Sequence, residues 1–81
     1  MPPKCIVCGA TPTDRDHIRS RGAGGTDDDW NIWHVCRFHH QQKHSMSLTL
    51  FVKHYGLQDV LIKKGWEFDS LIKKWRHIDS T

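Results

Sequence analysis

Two short pairs of metal-binding side chains constrain the fold of this chain more than any other feature of its sequence. Cys5 and Cys8 form the first pair, and Cys36 and His39 form the second, each with two residues between its members. Together they supply the four soft or borderline donors that a tetrahedral zinc ion requires. A single pair of cysteines would be ambiguous because redox motifs share its spacing. The second pair favours structural zinc.

The small size of the chain explains why such a metal would be needed. Eighty-one residues form one small domain, 1–81, and a domain of this size buries only about 60% of its unfolded surface. Three cysteines cannot all pair as disulfides, and the sequence shows no secretory signal and no membrane-spanning apolar run. We therefore expect a cytoplasmic protein with reduced thiols and no membrane partner. The net charge of +3 permits a polyanionic partner without requiring one.

The order of turn-forming and apolar residues predicts a mixed α+β fold. A loop with several glycines separates residues 16–20 from residues 30–35, and we expect these two segments to pair as a β-hairpin. Residues 36–44 are predicted to form a helix. Residues 4–44 would then be the metal-binding core, and residues 45–81 a helical extension that packs against it.

Two features of the extension support its helical prediction. Ser47 can cap the start of a helix that Gly56 ends. Further along, four apolar residues recur at the i, i+3, i+4 and i+7 positions expected of a helix face. They are Phe68, Leu71, Ile72 and Trp75.

A second group of polar residues is not needed for the zinc site. His40 and His44 lie one turn apart on the predicted helix, on the same face. If the hairpin packs over this helix, Asp16 or His17 can reach them. An aspartate oxygen with two imidazoles would suit a divalent catalytic metal, with Mg²⁺ or Mn²⁺ fitting the oxygen and Ni²⁺ or Zn²⁺ tolerated by the nitrogens. Solvated histidines on an exposed helix face are the alternative.

The combination of these motifs resembles the HNH endonucleases. The matching residues are Asp16, His17 and Ile18, then Gly24 and Gly25, then Asn31, and finally Cys36, His39 and His40. The resemblance covers about half of the chain and implies the ββα-metal fold, a hairpin packed across one helix with a catalytic metal between them. The small size is similar to that of free-standing phage and prophage nucleases, which implies the cytoplasm of a bacterium or of a phage-infected host.

The resemblance also implies a role for each matching residue. His17 is similar to the general base that activates water, and Asp16 and His40 are similar to the ligands of the catalytic metal. His44 resembles a further metal histidine of the nuclease colicins. Asn31 resembles the asparagine that holds the hairpin loop and so orients the base. The resemblance thus implies a metal-dependent DNA endonuclease.

Basic residues in both halves suggest where nucleic acid would bind. In the first half the candidates are Arg15, Arg19, Arg21 and Lys43, and in the second half they are Lys63, Lys64, Lys73, Lys74 and Arg76. Two other functions stay open: a non-catalytic zinc-stapled DNA-binding module, and a domain whose C-terminal helices dock on a protein partner. The oligomeric state is not predicted. The acidic run Asp27–Asp29 is interpreted as a solvated loop tip.

Overall fold

In the computed structural model, which describes residues 2–78, three short helices connect two antiparallel β-hairpins. The strands are β1 (Asp14–His17), β2 (Ile32–Val35), β3 (Trp66–Asp69) and β4 (Lys74–His77), and the helices are α1 (Arg37–His44), α2 (Leu48–Tyr55) and α3 (Gln58–Lys63). Each hairpin is a separate two-stranded sheet. The predicted α+β class is confirmed. Within residues 2–78 no helix has the length and apolarity needed to cross a membrane.

The first hairpin and the helix that follows it form the predicted core motif. In the pairing of β1 with β2, Asp14 lies opposite Val35 and His17 lies opposite Ile32. Helix α1 contacts both strands. The long connection between the strands contains two short 3₁₀ turns, at Arg21–Ala23 and Asp29–Asn31. A hairpin therefore lies across one helix in the predicted order, but its first strand is Asp14–His17 and not residues 16–20.

Helix α2 begins and ends where its sequence predicts. The Ser47 side chain accepts a hydrogen bond of 3.1 Å from the Leu50 amide, which satisfies a first-turn donor that has no partner within the helix. Gly56 ends the helix with a φ of 64°, a left-handed conformation that favours glycine.

The predicted helix over residues 68–75 is wrong, because this segment belongs to the second hairpin. Trp66, Trp75 and His77 are buried while their neighbours Glu67 and Arg76 are exposed, which is the alternation of a strand. The Asp69 carboxylate accepts from the Leu71 and Ile72 amides and so closes the turn between the strands. Leu71, a member of the predicted apolar face, is 93% exposed. The helical prediction holds for α2 and α3 only.

One apolar core joins the two halves of the described chain. Its buried members come from the N-terminal loop, the first hairpin, α2, α3 and the second hairpin: Cys5, Ile18, Trp33, Val35, Phe51, Val52, Leu57, Leu61, Trp66 and Trp75. The indole of Trp66 donates to the Trp30 carbonyl at 2.7 Å, and His77 stacks on Trp30 at a centroid distance of 4.0 Å. These contacts attach the second hairpin to the end of the β1–β2 connection.

Candidate metal centres and active site

The two predicted ligand pairs meet at one point in the structure. The ligand atoms of Cys5, Cys8, Cys36 and His39 all lie within 4.8 Å of one another. The Cys8 and Cys36 sulfurs are 3.8 Å apart, and the Cys5 sulfur is 3.7 Å from Nδ1 of His39. Tetrahedral zinc with Zn–S bonds of about 2.3 Å places neighbouring sulfurs about 3.8 Å apart. The spacing therefore fits zinc, and it is too long for a disulfide.

Backbone N–H groups around Cys5 favour the thiolate form that binds a metal ion. The Val7 amide donates to the Cys5 sulfur at 3.4 Å. Burial raises the pKa of the Cys5 thiol, but backbone N–H groups at Cys36, Cys8 and Val7 outweigh it and lower that pKa from 9.0 to about 6. For Cys8, the Ala10 N–H lowers the pKa, but desolvation and the neighbouring sulfurs raise it overall. One thiolate therefore forms readily, and a bound cation would favour the others.

The second predicted cluster also comes together. Ligand atoms of Asp16, His40 and His44 lie within 4.8 Å of one another, between β1 and α1. The rings of His40 and His44 are 4.7 Å apart, as expected for residues one helical turn apart. Asp16 is buried, His40 is half-buried and His44 is exposed, so the cluster opens to solvent on the His44 side.

The Asp16 carboxylate has one oxygen committed to structure and one facing His40. Its Oδ2 accepts from the Trp33 indole N–H at 2.7 Å and lies 3.1 Å from the Lys43 ammonium. Its Oδ1 lies 3.3 Å from Nε2 of His40. That separation is close to the distance between adjacent ligands in an octahedral shell with bonds of about 2.1 Å. The donor set, one carboxylate oxygen and imidazole nitrogens, fits a divalent cation.

Asp14 is a site residue that the sequence interpretation missed. Its Oδ2 lies 3.1 Å from Nδ1 of His40, and the hydrogen bond with His40, helped by the charge of Arg37, lowers the pKa of the Asp14 carboxyl. A carboxylate can only accept, so an Nδ1–H of His40 would donate to Asp14, and Nε2 is the ring atom that could bind a cation held together with Asp16. Alternation along a strand was the available signal, because Asp14 and Asp16 are two residues apart and share one face of β1.

His17 has an acidic partner of its own. Its Nε2 lies 2.7 Å from Oδ1 of Asp27, and this contact, together with the charge of Arg21, lowers the pKa of the Asp27 carboxyl. Asp27 is therefore more than a solvated loop tip, although its side chain is exposed. Lys43 donates to the His17 carbonyl at 3.0 Å, so α1 fixes the backbone at the end of β1.

Asn31 holds the connection between the strands of the first hairpin. It is fully buried, its Oδ1 accepts from the Arg19 amide at 2.8 Å, and its Nδ2 donates to the carbonyls of Arg19 and Thr26. Gly25 lies against the same group, where an added Cβ would come within 1.8 Å of the Arg19 carbonyl oxygen. Only glycine fits there. The loop that carries Asp27 is thereby fixed at both ends.

Replacing Asn31 should destabilise the protein. We expect Asn31→Ala to lower the free energy of unfolding by about 2–4 kcal/mol, because buried backbone groups lose their partners. The exposed Asp29→Asn change in the same loop should shift it by less than about 0.5 kcal/mol. Urea denaturation of the zinc-loaded proteins measures both. Equal stability of the two variants would mean that the loop is not held by Asn31.

The four predicted nucleic-acid-binding residues of the first half differ in their surroundings. Arg15 and Arg21 are exposed, and the Arg15 guanidinium is 3.5 Å from the Asp27 carbonyl. Arg19 lies over the Trp66 ring, 5.7 Å from its centroid. Lys43 keeps only 10% of its side chain exposed and contacts Asp16, so its ammonium serves the cluster.

Comparison with known proteins supports the resemblance seen in the sequence. A family model described as "Putative HNHc nuclease" matches residues 2–75. The match includes both side-chain clusters and extends through α2 and α3 into the second hairpin. No curated protein and no solved structure shows a match to the chain.

Proposed function

We propose that this chain, which belongs to the HNHc nuclease family, is a metal-dependent endonuclease that hydrolyses phosphodiester bonds in DNA. The observation that carries the proposal is the convergence of Asp16, His40 and His44, with His17 adjacent in β1 and held by its own carboxylate. A module that only binds DNA needs neither a second metal site nor a buttressed histidine beside it. The same holds for a domain that only docks on a protein.

Asp16, His40 and His44 would hold the divalent ion. Asp16 offers Oδ1 because Oδ2 is engaged by Trp33 and Lys43, and His40 offers Nε2 because Asp14 engages Nδ1. Mg²⁺ or Mn²⁺ suits the carboxylate, and the imidazoles also accept Ni²⁺ or Zn²⁺. When bound, the ion would reduce the charge repulsion at the scissile phosphate and stabilise the departing 3′ oxygen.

His17 would act as the general base. Asp27 can only accept a hydrogen bond from His17, so the neutral ring would carry its proton on Nε2. Nδ1 of the neutral ring is then free to take a proton from the water that attacks phosphorus. Asp27 also stabilises the imidazolium that results. Asp27 and Lys43 thus act as positioning residues. Asp27 orients the His17 ring, and Lys43 holds the His17 backbone carbonyl.

The other cluster would hold structural zinc. Cys5, Cys8, Cys36 and His39 fill all four positions of a tetrahedron, so no position remains for substrate. This zinc would connect the N-terminal loop to the first turn of α1. Because α1 also carries His40 and His44, the structural zinc would fix the helix on which the catalytic site depends.

Metal-dependent nicking of supercoiled plasmid tests the nuclease. Zinc-loaded protein should convert supercoiled DNA to the relaxed form when Mg²⁺, Mn²⁺ or Ni²⁺ is added, and should do nothing without an added ion. DNA binding with no cleavage under any of these ions would reject the proposed activity and favour a binding module.

His40→Ala should change the metal dependence of nicking as well as its rate. Loss of an imidazole ligand weakens the site, so we expect the half-saturating Mn²⁺ concentration to rise by about 10-fold or more. His44→Ala should behave in the same way if His44 is a ligand, and like the unaltered protein if it is a solvated residue. His54→Ala, on the exposed face of α2, is the control. An unchanged metal titration for His40→Ala would remove it from the ligand set.

A further inference from the structure

A cleft of about 460 Å³ lies next to the candidate active site and is formed by parts of the chain that are distant in sequence. One wall is the segment that comes directly after β1 in the chain. The second wall is the junction between α1 and α2, and the third is β4 of the second hairpin. Its charged and hydroxyl-bearing lining residues are Arg19, Ser20, Lys43, Ser47, Thr49 and Lys74. The volume is that of an ordinary ligand pocket.

The charged side chains that line the cleft are all basic. Arg19, Lys43 and Lys74 line the cleft, and no aspartate or glutamate of the described part of the chain does. Lys74 is exposed, and within residues 2–78 no ion pair joins it to an acidic side chain. Arg76, on the same strand, contacts Glu67 at 3.4 Å instead. Among the residues that the structure describes, Lys74 is therefore an exposed cation of the cleft lining with no acidic partner.

The polar groups of the cleft also favour an anion. The first turn of α2 forms part of the lining, with Ser47 as its cap and Thr49 in its first turn. The positive end of the helix dipole and the Ser20 hydroxyl add to the positive charges of Arg19 and Lys74, whereas the Thr49 hydroxyl donates to the Lys73 carbonyl. Several weak donors around one strong cation are typical of contacts to phosphate.

Lys43 links the cleft to the proposed chemistry. It lines the cleft while its ammonium contacts Asp16 and donates to the His17 carbonyl. A strand whose scissile phosphate reached Asp16 would continue into this cleft. We propose that the cleft binds the sugar–phosphate backbone of the DNA strand beside the cleaved bond, and that Lys74 makes its main phosphate contact. This inference rests on the proposed function, since it assigns the path of that substrate.

DNA binding without the catalytic ion tests the cleft separately from cleavage. We suggest fluorescence anisotropy of a labelled DNA duplex with zinc-loaded protein across a series of KCl concentrations, with no Mg²⁺ or Mn²⁺ present. For Lys74→Gln the slope of log K against log salt should become shallower by about 0.9, the value for one lost phosphate contact. Lys74→Arg should keep the slope of the unaltered protein.

Two further variants keep the test specific. Lys53→Gln removes the same charge from an exposed position of α2 outside the cleft and should leave the slope unchanged. Ala23→Glu adds a carboxylate at an exposed position of the lining and should weaken binding. Equal slopes for Lys74→Gln and Lys53→Gln, or no loss of binding in Ala23→Glu, would overturn the cleft as a strand-binding site. Failure of the nuclease proposal is different, because it appears as an absence of nicking with every added ion.

Discussion

His17→Ala should reduce the rate of plasmid nicking by about 10²–10⁴-fold, the usual contribution of a general base. The variant should still fold, because the pair of His17 with Asp27 is partly exposed and such pairs contribute only about 0–1 kcal/mol. It should also keep its zinc, its DNA affinity and its dependence on Mn²⁺ concentration, since His17 belongs to neither side-chain cluster. Nicking rates across a metal titration separate a lost base from a lost ligand.

A matched histidine in the neighbouring strand provides the control for this experiment. His34 lies in β2 opposite Arg15 and is in neither cluster, so His34→Ala should nick at nearly the normal rate. If His17→Ala nicked as fast as His34→Ala, His17 would not be the base. If its rate recovered at high Mn²⁺, His17 would be acting on the metal site.

Loss of the structural zinc should unfold the whole domain. Zinc binding in small metal-dependent domains contributes about 10–16 kcal/mol, which exceeds the net stability that a core of this size supplies. Cys36→Ala should therefore bind no zinc and should lose both its helical circular dichroism and its cooperative thermal transition. His39→Ala should do the same. His54→Ala again serves as the control, because it removes a histidine outside both clusters.

Acid should release the same zinc. The pKa of the Cys5 thiol is lowered to about 6, so its thiolate is present above that pH and is lost as the pH falls through it. Protons then compete with zinc for the sulfurs. Because bound zinc favours the thiolate further, we expect zinc content and helical signal to fall together only at a pH well below 6. A Cys36→Ala protein that kept a cooperative transition without metal would show that the apolar core is sufficient.

The sequence alone predicts the ligand pairs within each cluster because the spacing within a pair is local. Two residues between ligands suit a zinc knuckle, and positions i and i+4 of a helix lie on one face, so Cys5 with Cys8 and His40 with His44 follow from spacing. The caps of α2 are local in the same sense. The resemblance to HNH endonucleases, carried by these motifs, is confirmed by the family match.

The partners of these groups depended on tertiary structure. Asp14 and Asp27 lie far in sequence from α1 and β1 respectively, and only the packing of α1 on the hairpin and the return of the loop bring them to His40 and His17. The secondary structure of the C-terminal segment also depended on tertiary packing. Its apolar residues fit a helical period, but the chain forms a hairpin, on which Trp66 and Trp75 are both buried in the common core. The spacing of apolar residues alone does not distinguish a helix from a strand in so short a segment. The choice depends on which apolar surface the folded chain offers for packing.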